Sequence, residues 1–115
     1  MNTLFEECLN NAFGFSSHNS NGQTPLSLCI QLQQKEMFDR ILEKESSAAY
    51  YYNQDGNSPL HIAAQYDKEG YFIKKLIQAN AIVYDRNRQK QTPLDIAISN
   101  NNPVAQQILE EADPF

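Results

Sequence analysis

The chain has 115 residues, 41% hydrophobic and 20% charged, and nine Lys and Arg against fourteen Asp and Glu leave a formal charge of −5. That length makes one domain with an adequate but thin core, and the acidic balance excludes general affinity for DNA, RNA or anionic membranes, which all require clustered positive charge. No apolar run approaches the roughly 18 residues of a membrane span, and Met1 to Glu7 carries two acids and no base, so it does not read as a secretory signal.

Cys8 and Cys29 both sit among apolar neighbours and read as buried free thiols in a reducing compartment, with a disulfide left open by sequence alone. No Asn-x-Ser/Thr acceptor is present, in keeping with a cytoplasmic protein. Asn and Gln are frequent but spread out, without a tract.

From the N-terminus, Thr3 to Phe13 is predicted helical. Thr3 with Glu6 fits a capping box, and Phe5, Cys8, Leu9, Ala12 and Phe13 share a face before Gly14. Ser16 to Gln23 is polar and turns at Asn21-Gly22. Thr24-Pro25 then opens a short helix ending near Leu32, followed by a second helix from Lys35 to Lys44 with Met37, Phe38, Ile41 and Leu42 inward. Glu45 to Asp55 connects, and its Tyr50-Tyr51-Tyr52 suits an extended segment.

Ser58-Pro59 starts the next helix, to about Tyr66. A hydroxyl cap contributes about 1 kcal/mol, and Pro at the first helical position has its φ already set and no N–H to satisfy. Lys68-Glu69-Gly70 turns into a helix lined by Phe72, Ile73, Leu76 and Ile77 that stops near Ala79-Asn80. Ala81 to Gln91 connects to Thr92-Pro93-Leu94-Asp95-Ile96-Ala97-Ile98, then a polar turn from Ser99 to Asn102. Pro103 begins a last helix with Val104, Ile108 and Leu109 inward.

The three starts recur at a spacing of 34 residues: Thr24-Pro25-Leu26, Ser58-Pro59-Leu60 and Thr92-Pro93-Leu94. A fixed period of this size marks a repeat architecture. Two short helices cannot bury their own apolar face, but stacked pairs can line up Leu26, Leu60 and Leu94. Each such side chain is worth about 1.5–3 kcal/mol when buried. The stack needs polar ends, a role fitted by Gln106, Gln107, Glu110 and Glu111.

Ser58-Pro59-Leu60-His61-Ile62-Ala63-Ala64 matches the ankyrin signature Thr-Pro-Leu-His-x-Ala with one conservative change, and Asn80-Ala81-Ile82-Val83 is similar to that family's link. The chain therefore resembles an ankyrin repeat protein over about Asn19 to Ala112. Ser27 and Asp95 replace His in the outer units, and Cys29 replaces the first small residue. The second unit has one residue extra between its helices, and the third is one short. The resemblance implies an all-α solenoid of helix-turn-helix units joined by hairpin-like loops: a capping segment over 1–18, repeats over 19–52 and 53–86, and a third repeat with its cap over 87–115.

Signatures of chemistry are absent. The sequence has no Gly-rich phosphate loop, no His-Glu-x-x-His, no Cys-x-x-Cys and no Gly-x-Ser-x-Gly. His18 with Cys8 or Cys29 would be a metal set without local spacing. His61 sits at the signature position, which implies a structural hydrogen-bonding role. No catalytic, cofactor or metal site is expected.

What remains is a binding surface. The resemblance implies finger-like connections whose tips, with the exposed side of each first helix, hold another protein. Carried over by position, the first unit offers His18, Ser20, Asn21, Gln23, Gln31 and Leu32. The second offers Tyr52, Gln54, Asp55, Asn57, Gln65 and Tyr66, and the third Arg86, Arg88, Gln89, Gln91, Ser99 and Asn100. Tyr52 and Tyr66 would flank one apolar spot beside Leu32, unless the tyrosines pack between fingers. In an extended finger, alternating Arg86, Arg88 and Lys90 would share a face and form a basic edge, either simply solvated or attracted to an acidic segment of a partner. The expected function is a non-enzymatic protein–protein interaction module, monomeric when free. The alternatives are a regulatory or targeting arm of a larger protein, such as a bacterial effector delivered into a host cytosol, and a stand-alone inhibitor of a partner enzyme.

Overall fold

The computed structural model describes residue 18 and residues 20–112. They form α1 (Pro25–Gln31), α2 (Lys35–Lys44), a 3-10 helix (Ser46–Tyr50), α3 (Pro59–Tyr66), α4 (Tyr71–Gln78), α5 (Pro93–Ser99) and α6 (Pro103–Ala112), and no strand occurs among the described residues. The expected helix from Thr3 to Phe13, and Cys8 within it, lie outside them.

Each helix pair starts with the same local chemistry. Thr24, Ser58 and Thr92 are extended, and their hydroxyl oxygens accept the N–H of Ser27, His61 and Asp95 at 3.3, 3.3 and 3.2 Å. In the second and third pairs the box closes from the other side: His61 Nδ1 accepts the Ser58 N–H at 3.1 Å, and Asp95 Oδ2 accepts that of Thr92 at 3.0 Å. The two helices of a pair are separated by 32–34, 67–70 and 100–102, so the second unit does carry one residue more than its neighbours.

The first helices stack, α1 on α3 and α3 on α5, and α4 packs against α6. Cys29, Ala63 and Ala97, at equivalent positions, are all fully buried, and their small size lets the helices approach closely. Phe38 and Phe72 join the second helices edge to face, with centroids 4.8 Å apart, an arrangement worth about 0.5–1.5 kcal/mol beyond area burial. Leu26 and Leu60 are fully buried, but Leu94 is only half-buried, so the predicted row is incomplete. Ile98 shows it most clearly: it is 50% exposed, whereas Ile30 and Ala64, its equivalents, are 0%. The expected polar end is therefore realised on α6, where Gln107, Glu110 and Glu111 are exposed, but not on α5.

Two buried polar side chains organise this region, Asp67 within the second pair and Asn102 across its junction with the third. The carboxylate of Asp67 accepts the N–H groups of Gly70 and Ile73, each at 3.0 Å. Asn102 donates through Nδ2 to the carbonyls of Ala64 and Asp67 at 3.1 and 3.0 Å, and its Oδ1 accepts the Ala105 N–H at 3.3 Å.

The tyrosine stretch departs at Tyr50 from the extended form predicted for it, while Tyr51 is extended, at φ −83° and ψ 116°. Small residues precede it, and Ala48 and Ala49 are buried as the chain tightens into the 3-10 helix that ends on Tyr50. Tyr51 and Tyr52 follow in non-helical backbone. The Tyr50 hydroxyl donates to Asn80 O at 2.9 Å, and that of Tyr51 to Glu45 Oε2 at 2.6 Å.

Beyond Tyr52 the loops close into tight fingers. Asn53 Oδ1 accepts the N–H groups of Asp55 and Asn57, both at 2.9 Å. Asn87, 34 residues later, does the same for Gln89 and Gln91 at 3.0 and 2.9 Å. Each finger also places one residue in the left-handed region: Gly22 at φ 77°, Gly56 at φ 79° and Lys90 at φ 64°. The first two glycines lie under the next finger. A Cβ on Gly56 would come 2.8 Å from Arg88 Cγ, and Gln54 covers Gly22 in the same manner. No finger follows Lys90 among the described residues, so a side chain fits there and only backbone strain remains. Lys90→Gly is accordingly expected to raise the unfolding free energy by about 0.5–1 kcal/mol, the left-handed cost less the added chain entropy of glycine. Urea denaturation checks this, with Gly56→Ala moving the midpoint the other way.

Candidate functional site

Among the described residues, two depressions flank the second finger tip, one walled by fingers and first helices and one by fingers alone. The first, about 340 Å³, lies between the first and second fingers above α1 and α3. It is walled by Asn21, Gln23 and Gln31 from the first unit and by Asn53, Asp55, Asn57, Gln65 and Tyr66 from the second, with Ser27 and Ile62 at its base. Its lining is mostly amide, hydroxyl and carboxylate. Gln23 Nε2 donates to Gln31 Oε1, and Asn57 Oδ1 accepts from Asn87 Nδ2 at 2.7 Å. The side chains of Gln65 and Asp55 and the hydroxyl of Tyr66 make no hydrogen bond to a described residue.

The second depression, about 350 Å³ and shallow, is lined by Tyr52, Asn53, Gly56, Arg86, Asn87 and Arg88. Tyr52 donates its hydroxyl to Asp85 Oδ2 at 2.6 Å, a bond that, with partial burial and the Asp85 charge, holds the phenol above its ordinary pKa. His18 Nε2 meets the Tyr52 carbonyl at 3.0 Å. Tyr52 therefore does pack between its own finger and the next, yet it stays 46% exposed.

The predicted surface thus divides. Asp55, Asn57, Gln65 and Tyr66 come together in the first depression, whereas Tyr52, Arg86 and Arg88 meet in the second. Tyr52 and Tyr66 do not flank one spot, because the Asn53-centred turn stands between them. Leu32, 49% exposed at the end of α1, lines neither depression. Arg86, Arg88 and Lys90 do not alternate along an extended edge. The chain reverses there, with Lys90 N–H donating to Asn87 O at 2.9 Å and Arg86 Nη1 to Lys90 O at 3.2 Å.

Several other positions serve the scaffold. Gln54 donates its N–H to Gly22 O at 2.8 Å, joining two fingers. Gln91 O accepts from His61 Nε2 at 2.9 Å. Asn100 Nδ2 closes the end of α5 onto Ile96 O at 2.8 Å, and Gln89 lies exposed on the last turn. Sequence reasoning missed Asn53, which borders both depressions. Its signal was present in the 34-residue spacing from Asn87.

His61 is buried and tied on both sides, to the Ser58 cap and to the third finger, and burial lowers its pKa despite the raising effects of the Gln91 bond and Asp85. Cys29 is free, and burial pushes its thiol well above the ordinary range. Among the described residues no group of three His, Cys, Asp or Glu could hold a metal ion, and no helix is long and apolar enough to cross a membrane.

Repeating helix pairs, recurring caps and recurring finger turns define an architecture that comparison with known proteins places. A family model described as ankyrin repeats (3 copies) matches residues 2–81 and, overlapping, residues 47–115. The chain belongs to the ankyrin repeat family. Ankyrin repeats are generally protein–protein interaction modules and typically non-catalytic. Comparison with curated proteins returned no match. In ankyrin terms, the two depressions lie along the fingers and first helices, and His61 is a strut between consecutive repeats.

Proposed function

We propose that this ankyrin chain is a non-enzymatic adaptor, targeting or scaffold module that holds an extended segment of a partner protein in the depression between its first two fingers. One observation carries the reading: Gln65, Tyr66 and Asp55 line that depression with polar groups that no described residue satisfies. Such groups suit a peptide backbone, which brings an N–H and a C=O at every residue. The free, buried Cys29 fits a reducing compartment, in the simplest case the cytoplasm.

The test is a Gln65→Ala/Tyr66→Ala variant titrated calorimetrically against a partner first recovered by affinity purification and mass spectrometry. Interface anchors cost about 1–2 kcal/mol each on truncation, so affinity is expected to fall at least roughly 30-fold while the helical circular dichroism is unchanged. Undiminished affinity would place the partner elsewhere. Assaying the partner's own activity with and without the chain separates an adaptor from an inhibitor.

A further inference from the structure

Packing accounts for the stem of Arg88 but not for its charge. The stem lies across Gly56, and one repeat earlier the same task over Gly22 falls to Gln54, an uncharged side chain. The position equivalent to Arg86 one repeat earlier is Tyr52. Both guanidiniums are therefore particular to this finger, and both line the shallow depression beside the Tyr52 ring. Neither is paired with a carboxylate: the ion pairs among the described residues are Lys35 with Glu69 and Lys75 with Asp39. Arg86 spends one N–H on Lys90 O, and Arg88 makes no hydrogen bond to a described residue. The nearest acid in sequence, Asp85, is engaged by the Tyr52 hydroxyl, and Asp55 lies in the other depression. Two guanidinium forks beside a fixed aromatic face, on a chain of net charge −5, form a local basic recess.

We infer that the Tyr52–Arg86–Arg88 recess docks an acidic peptide segment of the partner protein, its carboxylates meeting the guanidinium forks and its backbone lying against the Tyr52 ring. The inference rests on the reading of the chain as a protein-binding module and adds the chemistry of what is bound. Planar forks match carboxylates bidentately, and desolvation beside an aromatic ring strengthens the pairing. The acidic remainder of the surface repels an acidic segment that arrives elsewhere, so the recess sets register as well as attraction.

The probe is a short capped peptide rich in Glu and Asp, titrated into the labelled chain while backbone amide and Arg Nε–H resonances are followed. Its Gln/Asn counterpart, an oligothymidylate and phosphatidylserine vesicles are run alongside. Shifts are expected at Arg86, Arg88, Tyr52 and Asn53, with the Gln/Asn peptide inert. Affinity should fall about tenfold in Arg86→Gln/Arg88→Gln and again in high salt. The inference is overturned if shifts fall on Lys68, Lys74 and Lys75 instead, if the double variant binds as well as the wild type, or if the oligonucleotide or vesicle binds the recess more tightly than the peptide. The Gln65→Ala/Tyr66→Ala variant separates the two readings, since it should keep the acidic peptide. A partner lost by that variant alone, with no peptide bound at the recess, removes this inference and leaves the module reading standing.

Discussion

Asn102→Leu is expected to lower the unfolding free energy by about 3–5 kcal/mol, the low end of about 1–3 kcal/mol for each of three buried backbone groups that lose a partner. Leucine keeps the branched four-atom skeleton, so no cavity forms, and although its methyls are bulkier than the amide, most of the loss reports hydrogen bonding. Asn102 is 1% exposed and satisfies three backbone groups: the carbonyls of Ala64 and Asp67 and the Ala105 N–H. It joins the end of α3 to the start of α6, so both sides of one inter-repeat contact depend on it. Asn102→Asp sharpens the test. It keeps the acceptor for Ala105 but turns a carboxylate toward two carbonyls, so at neutral pH it should be worse than leucine, and part of the loss should return as acid protonates it. Urea denaturation gives the energies. Hydrogen exchange should show α5 and α6 losing protection first, since repeat arrays open unit by unit.

What the sequence made legible was mostly local. Thr24-Pro25, Ser58-Pro59 and Thr92-Pro93 declare their helix starts through capping chemistry that needs no distant partner, and Lys35–Lys44 emerged at its predicted bounds. The repeat spacing supplied the stacking order. What stayed hidden depends on who stacks on whom. Leu94 and Ile98 have the same apolar chemistry as their buried equivalents, and only their place on α5 leaves them more exposed. Asn102 and Asp67 read as ordinary turn residues, because their burial comes from the neighbouring repeat. The basic alternation of Arg86, Arg88 and Lys90 presumed a strand. The left-handed Lys90 marks the reversal that breaks it, at a position where the earlier fingers carry glycine.

The candidate site shows the same division. Position within the repeat located Asp55, Asn57, Gln65 and Tyr66 on one surface. It could not separate Tyr52 from Tyr66, because the Asn53 turn that parts them is held by side chain–backbone bonds across the finger. Finger shape is set by Asn53 and Asn87, and finger chemistry by the residues between and beside them. One backbone scaffold thus presents an amide-rich recess with one carboxylate, Asp55, on one side of the second finger and a cationic one on the other.

His61 is where helix capping and finger placement meet, and its removal should be felt in both. The Gln91 carbonyl can only accept and the Ser58 N–H can only donate, so their bonds fix the neutral tautomer, with the proton on Nε2. His61→Leu loses both bonds and is expected to cost about 1–3 kcal/mol, combining a half-broken capping box with the loss of the inter-repeat bond to the Gln91 carbonyl, which keeps the Asn87 N–H at 3.0 Å. His61→Gln should cost about 1 kcal/mol, because Gln at this position can still close the capping box but forfeits the reach to Gln91. Acid makes the same case without mutation. Burial lowers the folded-state pKa of His61 below its ordinary value, so below the ordinary histidine pKa the unfolded chain takes up the proton more readily than the folded one. This contribution is fully present above that pKa and is lost as pH falls toward the folded value. Protonation would also set an Nδ1–H against the Ser58 N–H, donor against donor. Urea midpoints measured from neutral to mildly acidic pH should fall more steeply for the wild type than for His61→Gln. Equal slopes would mean that the strut carries no proton linkage.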